Sequence, residues 1–225
     1  LRDAAEAAEV AARVGYPVGA IFFNRIAHAE FDGAGALANV TCESENGAAP
    51  QPCDTAPRVY WGNSTPTWWG SITNSVTLFE KLRLGANIDF QGGFHQVDGD
   101  IAFGHTTFQN SAKDYAAPDP VFAAYQTVIP RLGLGFFDAG FAKLRELSAN
   151  YQLPNSVAWH VGAQSASVTG AWRNVMTLWQ AQHDVWGTKI FDSETRVPGS
   201  SELGFTYQTV IPPTSQMVLT VRMTY

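Results

Sequence analysis

The stretch that most limits what this chain can become is Gln216 to Tyr225. Met217, Leu219, Val221, Met223 and Tyr225 are apolar, and Val218, Thr220, Arg222 and Thr224 alternate with them. Successive side chains of an extended strand point to opposite sides, so this run has one greasy face and one mostly polar face. A tilted strand of about ten residues is long enough to cross a bilayer within a β-barrel. The same run also fits a half-buried strand of a soluble sandwich. Repetition of the pattern at the same length decides between the two.

The pattern does repeat. Ile72, Val76 and Leu78 alternate with Ser71, Thr73, Ser75 and Thr77, the chain turns at Glu80 and Lys81, and Leu82, Leu84, Ala86, Ile88 and Phe90 then alternate with Arg83, Gly85, Asn87, Asp89 and Gln91. This reads as a β-hairpin with one hydrocarbon-compatible and one wet face; Ser, Thr and Asn on the wet side suit a barrel lumen better than the Lys and Glu of a soluble surface. Leu147, Ala149, Tyr151 and Leu153 form another such strand, ended by Pro154, with a tight turn expected at Asn155 and Ser156. Beyond it the apolar parity changes between Val157–Ala163 and Ala166–Trp172, which predicts a β-bulge near Gln164 and Ser165. Tyr16 to Phe31 reads as a further strand, making about six.

The connections read as long over 32–66, 92–140 and about 175–214, and short at the two turns. In an antiparallel meander that order places all short turns at one edge and all long loops at the other, as in outer-membrane barrels. Trp68, Trp69, Trp172 and Trp179 fall toward the long-loop edge and Phe79, Tyr151, Trp159 and Tyr225 toward the other, where interfacial aromatic girdles belong. Charged residues are only 15% of the chain against 45% hydrophobic, whereas about a quarter is usual for a soluble domain, so something other than a charged surface must cover it. No apolar run approaches the roughly 18 residues of a spanning helix. With a net charge of −6 and scattered Lys and Arg, no nucleic-acid partner is expected.

Leu1 to Val14, rich in Ala and Glu, has the composition of one short amphipathic helix and carries no sign of a role. The chain begins at Leu1 without a signal-peptide pattern and reads as a cut. Cys42 and Cys53, in a Gly-, Ala- and Pro-rich stretch, are a disulfide candidate, with two free thiols the alternative. The histidines His28, His95, His105, His160 and His183 lack metal-ligand spacing and read as loop or lumen residues; Val97–Ile101 (VDGDI) reads as a turn and not as a calcium loop. No catalytic motif is recognisable, so neither enzymatic activity nor a cofactor or metal is expected. The hexapeptide YQTVIP recurs at Tyr125–Pro130 and Tyr207–Pro212, a pair too sparse for a solenoid.

Gly62–Gly93 (GNSTPTWWGSITNSVTLFEKLRLGANIDFQGG), Leu144–Pro154 (LRELSANYQLP), Ser167–Trp179 (SVTGAWRNVMTLW) and the terminal strand together resemble the C-terminal barrel portion of SusC/RagA-type TonB-dependent outer-membrane transporters. The resemblance covers about Gly15 to the end, and Val175 stands where Leu is expected after the Arg-Asn pair. It implies an all-β, antiparallel up-and-down transmembrane barrel, of which 15–225 would be a C-terminal part with long extracellular loops, integral to the bacterial outer membrane. It further implies a TonB complex acting through an N-terminal plug that is missing here, a SusD-like lipoprotein lid, a glycan or peptide nutrient, and contact with membrane lipid. Tyr225 matches the terminal aromatic signal for barrel assembly.

On this reading Asn74, Arg83, Asn87, Asp89, Asn150 and Gln152 are lumen-facing candidates. The aromatics Trp61, Phe94, Phe108, Tyr115 and Trp186 could stack on sugar rings or pack the loops themselves. A secreted β-sandwich that binds carbohydrate is the alternative, and an outer-membrane enzyme barrel a weaker third.

Overall fold

The computed structural model describes residues 9–109, 111–194, 205–206 and 211–225. It divides into two compact units. Trp68–Gln91, Phe141–Gln180 and Ile211–Tyr225 build a sheet unit; the described parts of Leu1–Thr67, Gly92–Gly140 and Ala181–Val210 build a mixed unit.

The sheet unit is a five-stranded meander: β1 (Trp68–Leu78), β2 (Leu82–Gly92), β3 (Phe141–Gln152), β4 (Ser165–Gln180) and β5 (Gln216–Thr224), adjacent in that order. β2 and β3, β3 and β4, and β4 and β5 pair antiparallel. The register aligns the alternation: Arg83 lies opposite Asn150, Asn150 opposite Thr169, and Thr169 opposite Thr220. The next row puts Leu84 beside Ala149, Ala149 beside Gly170 and Gly170 beside Leu219. Every strand therefore contributes its apolar parity to the same face. Among the described residues the sheet does not close into a barrel, and β1 and β5 are its edges.

Two expected turns come out differently. Leu78 and Lys81 close the first one, Lys81 N donating to Leu78 O at 3.2 Å, so its central residues are Phe79 and Glu80. Both have positive φ, 50° and 57°, as a hairpin turn matched to strand twist requires. The second is not a tight turn. Asn155–His160 is a helix following Pro154, and Ser165 begins β4. The helix turns Ala158 inward to pack with Leu153, Ala163 and Ala166, while Val157 and Trp159 stay exposed. The parity change thus marks the passage from helix to strand. Real register shifts occur elsewhere, in β3 at Ala142/Lys143 and Leu144/Glu146.

The mixed unit replaces the expected loops. Glu9–Ala11, Ala20–Phe23 and Val59–Asn63 form one three-stranded sheet; Ile26–Phe31, Leu37–Cys42 and Gln51–Pro52 form a second. Tyr16–Phe31 is therefore not one strand, and it lies outside the five-stranded sheet. Of the N-terminal segment, Glu9–Ala11 pairs with Ala20–Phe22 as a strand where a helix was expected; residues 1–8 lie outside the described part.

The unit also holds helices Gly99–Phe103, Pro120–Val128 and Pro130–Gly135, a π-helical turn over Gly104–Phe108, a third sheet in which His95–Asp98 pairs with Phe136–Asp138 and Phe205–Thr206, and a ribbon of Asp184–Val185 with Thr188–Lys189. Ile21, Phe23, Val97, Phe122, Tyr125 and Leu134 belong to its core, and Trp61 stacks on Phe23 with centroids 4.0 Å apart. Cys42 and Cys53 are joined by a disulfide. Asp98 caps the Gly99–Phe103 helix, its carboxylate accepting from Asp100 N and Ile101 N, so VDGDI is a helix start. The first YQTVIP copy ends the Pro120–Val128 helix and enters the next; the second copy falls largely outside the described residues.

Candidate functional site

The polar face of the five-stranded sheet is built from side chains that bond across strands. Asn87 donates to Thr73 Oγ1 at 2.7 Å and to Ser71 Oγ at 3.2 Å; Arg83 donates to Ser75 Oγ at 3.1 Å; Asn150 donates to Thr169 Oγ1 at 2.6 Å. Asp89 Oδ2 accepts from Arg145 Nε at 3.0 Å, and Glu146 Oε2 accepts from Arg173 Nε at 3.1 Å. Gln152 lies opposite Ser167 on the same parity as Asn150. Five of the six candidates, Arg83, Asn87, Asp89, Asn150 and Gln152, thus share one face. Asn74 does not: it has the parity of Ile72 and Val76, opposite the Ser71, Thr73 and Ser75 hydroxyls that bond to β2.

The other face is apolar and exposed. Ile72, Leu84, Leu147, Trp172, Met217 and Leu219 are all solvent-accessible there, Leu219 at 75%. Trp68 and Trp179 lie 6.4 Å apart at the end where the long connections leave. Tyr225 is exposed just past β5, its hydroxyl 3.6 Å from Met223 S. A continuous exposed apolar face of this kind marks a surface that meets another apolar phase.

A second polar cluster, in the mixed unit, has no signal in the sequence. His105 is buried, and its Nδ1 lies 3.2 Å from both oxygens of Asp114, whose side chain is also buried. Asp114 further accepts from Ser111 N, Ser111 Oγ and Gln126 Nε2 at 2.9, 2.8 and 3.2 Å, and Thr188 Oγ1 lies 3.3 Å from His105 Nε2. Burial alone would raise the Asp114 carboxyl; the bonds from Ser111 and His105 outweigh it and hold the group below the usual carboxylate range. Gln126 Nε2 also donates to His105 O at 2.9 Å, tying three segments together. A second carboxyl, Asp119, is held low first by the Lys113 ammonium at 2.7 Å, with Phe122 N and Val121 N adding bonds. Burial pushes the Tyr125 phenol up to about 12; its oxygen accepts from Ile26 N.

The aromatics proposed for sugar stacking are mostly committed to packing. Phe94 is buried, Trp61 stacks on Phe23, and Trp186 packs on Phe122 and Tyr125 while donating to Gly133 O; Phe108 and Tyr115 remain exposed. Among the described residues no group of three or more His, Cys, Asp or Glu side chains is placed to hold a metal ion. No described helix is long and apolar enough to cross a membrane.

No protein-family profile and no curated protein sequence matches the chain. Solved structures do. The chain is similar to one chain of the RagAB peptide importer in its open-open state, with 18% identity, a TM-score of 0.59, 92% of this chain covered and 23% of that one. A structure of the RagAB peptide transporter gives 18% identity, 0.59, 91% and 23%; the importer's closed-closed state gives 19%, 0.54, 91% and 21%. The chain therefore shares the fold of a part of these proteins and spans less than a quarter of the chain it matches in each.

Proposed function

We propose that this chain is the C-terminal part of a SusC/RagA-type TonB-dependent transporter in the bacterial outer membrane, importing a glycan, peptide or similar nutrient. One observation carries the reading: a regular antiparallel meander with one face exposed and apolar and the other polar and cross-bonded. Lipid is the phase such an apolar face fits, and a lumen the environment its opposite face fits. The shared fold with part of the RagAB peptide importer supports the same reading.

On this reading the edges of β1 and β5 pair with further barrel strands, because an open edge in lipid leaves backbone groups without partners. TonB acts through a plug supplied by the rest of the polypeptide, a SusD-like lipoprotein covers the mouth, and Tyr225 serves as the assembly signal. The protein performs no chemistry on its cargo.

The alternative, a soluble carbohydrate-binding sandwich, needs a second sheet over the apolar face, and Leu219, Met217 and Ile72 are instead exposed. Fractionation separates the two. The transporter remains in the outer-membrane pellet until detergent is added and runs as a heat-modifiable band. A protein soluble without detergent would end the transporter reading.

A further inference from the structure

The polar face of the sheet is electrically lopsided. The sheet unit holds six cations, Lys81, Arg83, Lys143, Arg145, Arg173 and Arg222, against three anions, Glu80, Asp89 and Glu146, a net +3. Because the whole chain carries −6, the remaining residues carry −9. Two of the three surplus charges, Arg83 and Arg222, lie at one end of the sheet. Toward the long connections two arginines are paired with carboxylates, Arg145 with Asp89 at 3.0 Å and Arg173 with Glu146 at 3.1 Å, and the third cation there, Lys143, is buried with its ammonium 5.0 Å from the centroid of the Phe141 ring.

Toward the β1–β2 hairpin the face carries Arg83 and Arg222, both exposed. Their neighbours in register are neutral: Asn150 opposite Arg83, and Ser167 opposite Arg222. Arg83 bonds to the Ser75 hydroxyl, and Glu80 is a residue of the turn, outside the strand ladder. Two guanidinium groups thus stand on a lawn of Ser, Thr, Asn and Gln side chains, with no carboxylate of the ladder at that end.

We propose that this end of the wet face selects for solutes bearing carboxylates, an inference that rests on the importer reading above. A guanidinium offers a planar fork of donors matched to a carboxylate, and its neutral hydroxyl and amide neighbours can bond an anionic or a neutral solute alike. In a narrow polar passage walled by low-dielectric material, fixed charges focus the field and concentrate counter-charged solutes. Discrimination by charge therefore falls on Arg83 and Arg222, and baseline affinity on the neutral ladder.

The test uses the intact outer-membrane protein that carries this chain, purified in detergent at low ionic strength. The probes are short peptides of equal length and apolar content, one glutamate-rich, one glutamine-rich and one lysine-rich. The glutamate-rich peptide binds about tenfold tighter than the glutamine-rich one, at the low end of what charge focusing supplies. The lysine-rich peptide binds weakest, and added salt shrinks the gaps.

In the double variant Arg83→Gln, Arg222→Gln the glutamate preference falls to within about twofold while the glutamine-rich peptide keeps its Kd, since only the charge-focusing groups are gone. Thr220→Glu, which keeps both arginines and adds a carboxylate in the Arg83 row, abolishes the preference independently and covers the case in which the double variant does not assemble. Equal affinities in the unaltered protein, a gap that survives both variants, or no binding of any probe overturns the proposal. Equal affinities are the result expected if an acidic plug segment already neutralises the arginines. Heat-modifiable migration of the same preparation decides the importer reading separately.

Discussion

A Cβ placed on Gly62 would lie 2.2 Å from Nδ1 of His95. The imidazole fills the space that any side chain at Gly62 would need and stacks on Phe136, ring centroids 5.0 Å apart. Gly62 also has φ +144°, which disfavours other residues. Gly62→Ala should destabilise the mixed unit by about 3 kcal/mol, the sum of a steric clash and an unfavourable backbone conformation. Denaturant unfolding followed by Trp61 fluorescence checks this, and a loss below about 1 kcal/mol would mean that His95 is free to move aside.

His95 also predicts a response to pH. Burial lowers its pKa, opposed in part by the Asp138 carboxylate. The unfolded chain therefore binds a proton there more readily than the folded chain, so the contribution of His95 is present above the ordinary histidine value of about 6.5 and is lost as the pH falls through its lowered folded value. Asp114 and Asp119 act further down. Their pKa values are depressed, so their contributions are present above about 4 and lost as the pH falls through the folded values. Asp114→Asn should cost about 3 kcal/mol at neutral pH, because it replaces a buried carboxylate that accepts from Ser111 N and Ser111 Oγ, and should flatten the acid limb below about pH 4. An acid limb unchanged from the original protein would show that Asp114 is not the group titrating there.

Reducing the disulfide gives a third expectation. Cys42 and Cys53 are 11 residues apart, and Cys42 is buried in the core beside Ile26 and Ala29. A loop of that size contributes about 3 kcal/mol by restricting the unfolded chain. Cys42→Ala with Cys53→Ala should lower the denaturation midpoint accordingly, and reductant should then have no further effect. Unaltered stability in the double variant would mean that the Cys53 segment is held by Asn24, whose amide donates to Cys53 O and Ala56 O, with the bridge adding little.

The meander was readable because period-two alternation is a backbone property: once Leu84, Ala149, Gly170 and Leu219 share a parity, the sheet can pair them in few ways. The mixed unit was harder. Asp119-Pro120 ahead of an apolar run is a legible helix start, with the Asp119 carboxylate on Val121 N and Phe122 N and Pro120 in the first turn, yet it sits within a segment whose length and glycines suggested a loop. The His105 cluster draws on Ser111, Asp114, Gln126 and Thr188, the last 83 residues away, and such contacts are set by packing that no local pattern announces. Asn155–His160 failed for a different reason: alternating Val157, Trp159 and Val161 fit a strand, but small Ala158, Ala163 and Ala166 let a short helix dock closely.

The hairpin tip offers a gain of stability. Phe79 and Glu80 hold positive φ without being glycine, an unfavourable state for a bulky aromatic. Phe79→Asn with Glu80→Gly suits both positions and should stabilise the β1–β2 hairpin by about 1 kcal/mol. The check is the unfolding midpoint of the detergent-solubilised protein. A fall instead of a rise would show that the exposed Phe79 ring is an anchor in the interfacial region, worth more than the strain it imposes.

The face of the sheet meets its most direct test at Leu219. This residue is 75% exposed and lies mid-strand opposite Gly170. In water, exchanging an exposed leucine for arginine is worth within about 0.5 kcal/mol and improves solubility. Against lipid the same exchange near the midplane costs about 2–4 kcal/mol, because the guanidinium must thin the bilayer or drag water inward. Leu219→Arg should therefore lower the folded fraction sharply in lipid vesicles, while Thr220→Arg, one residue along and on the polar face, should be tolerated. Folding into vesicles, followed by the heat-modifiable band, reads the difference. Equal tolerance at both positions would mean that the apolar side meets water or protein and would remove the physical basis for a membrane-spanning sheet.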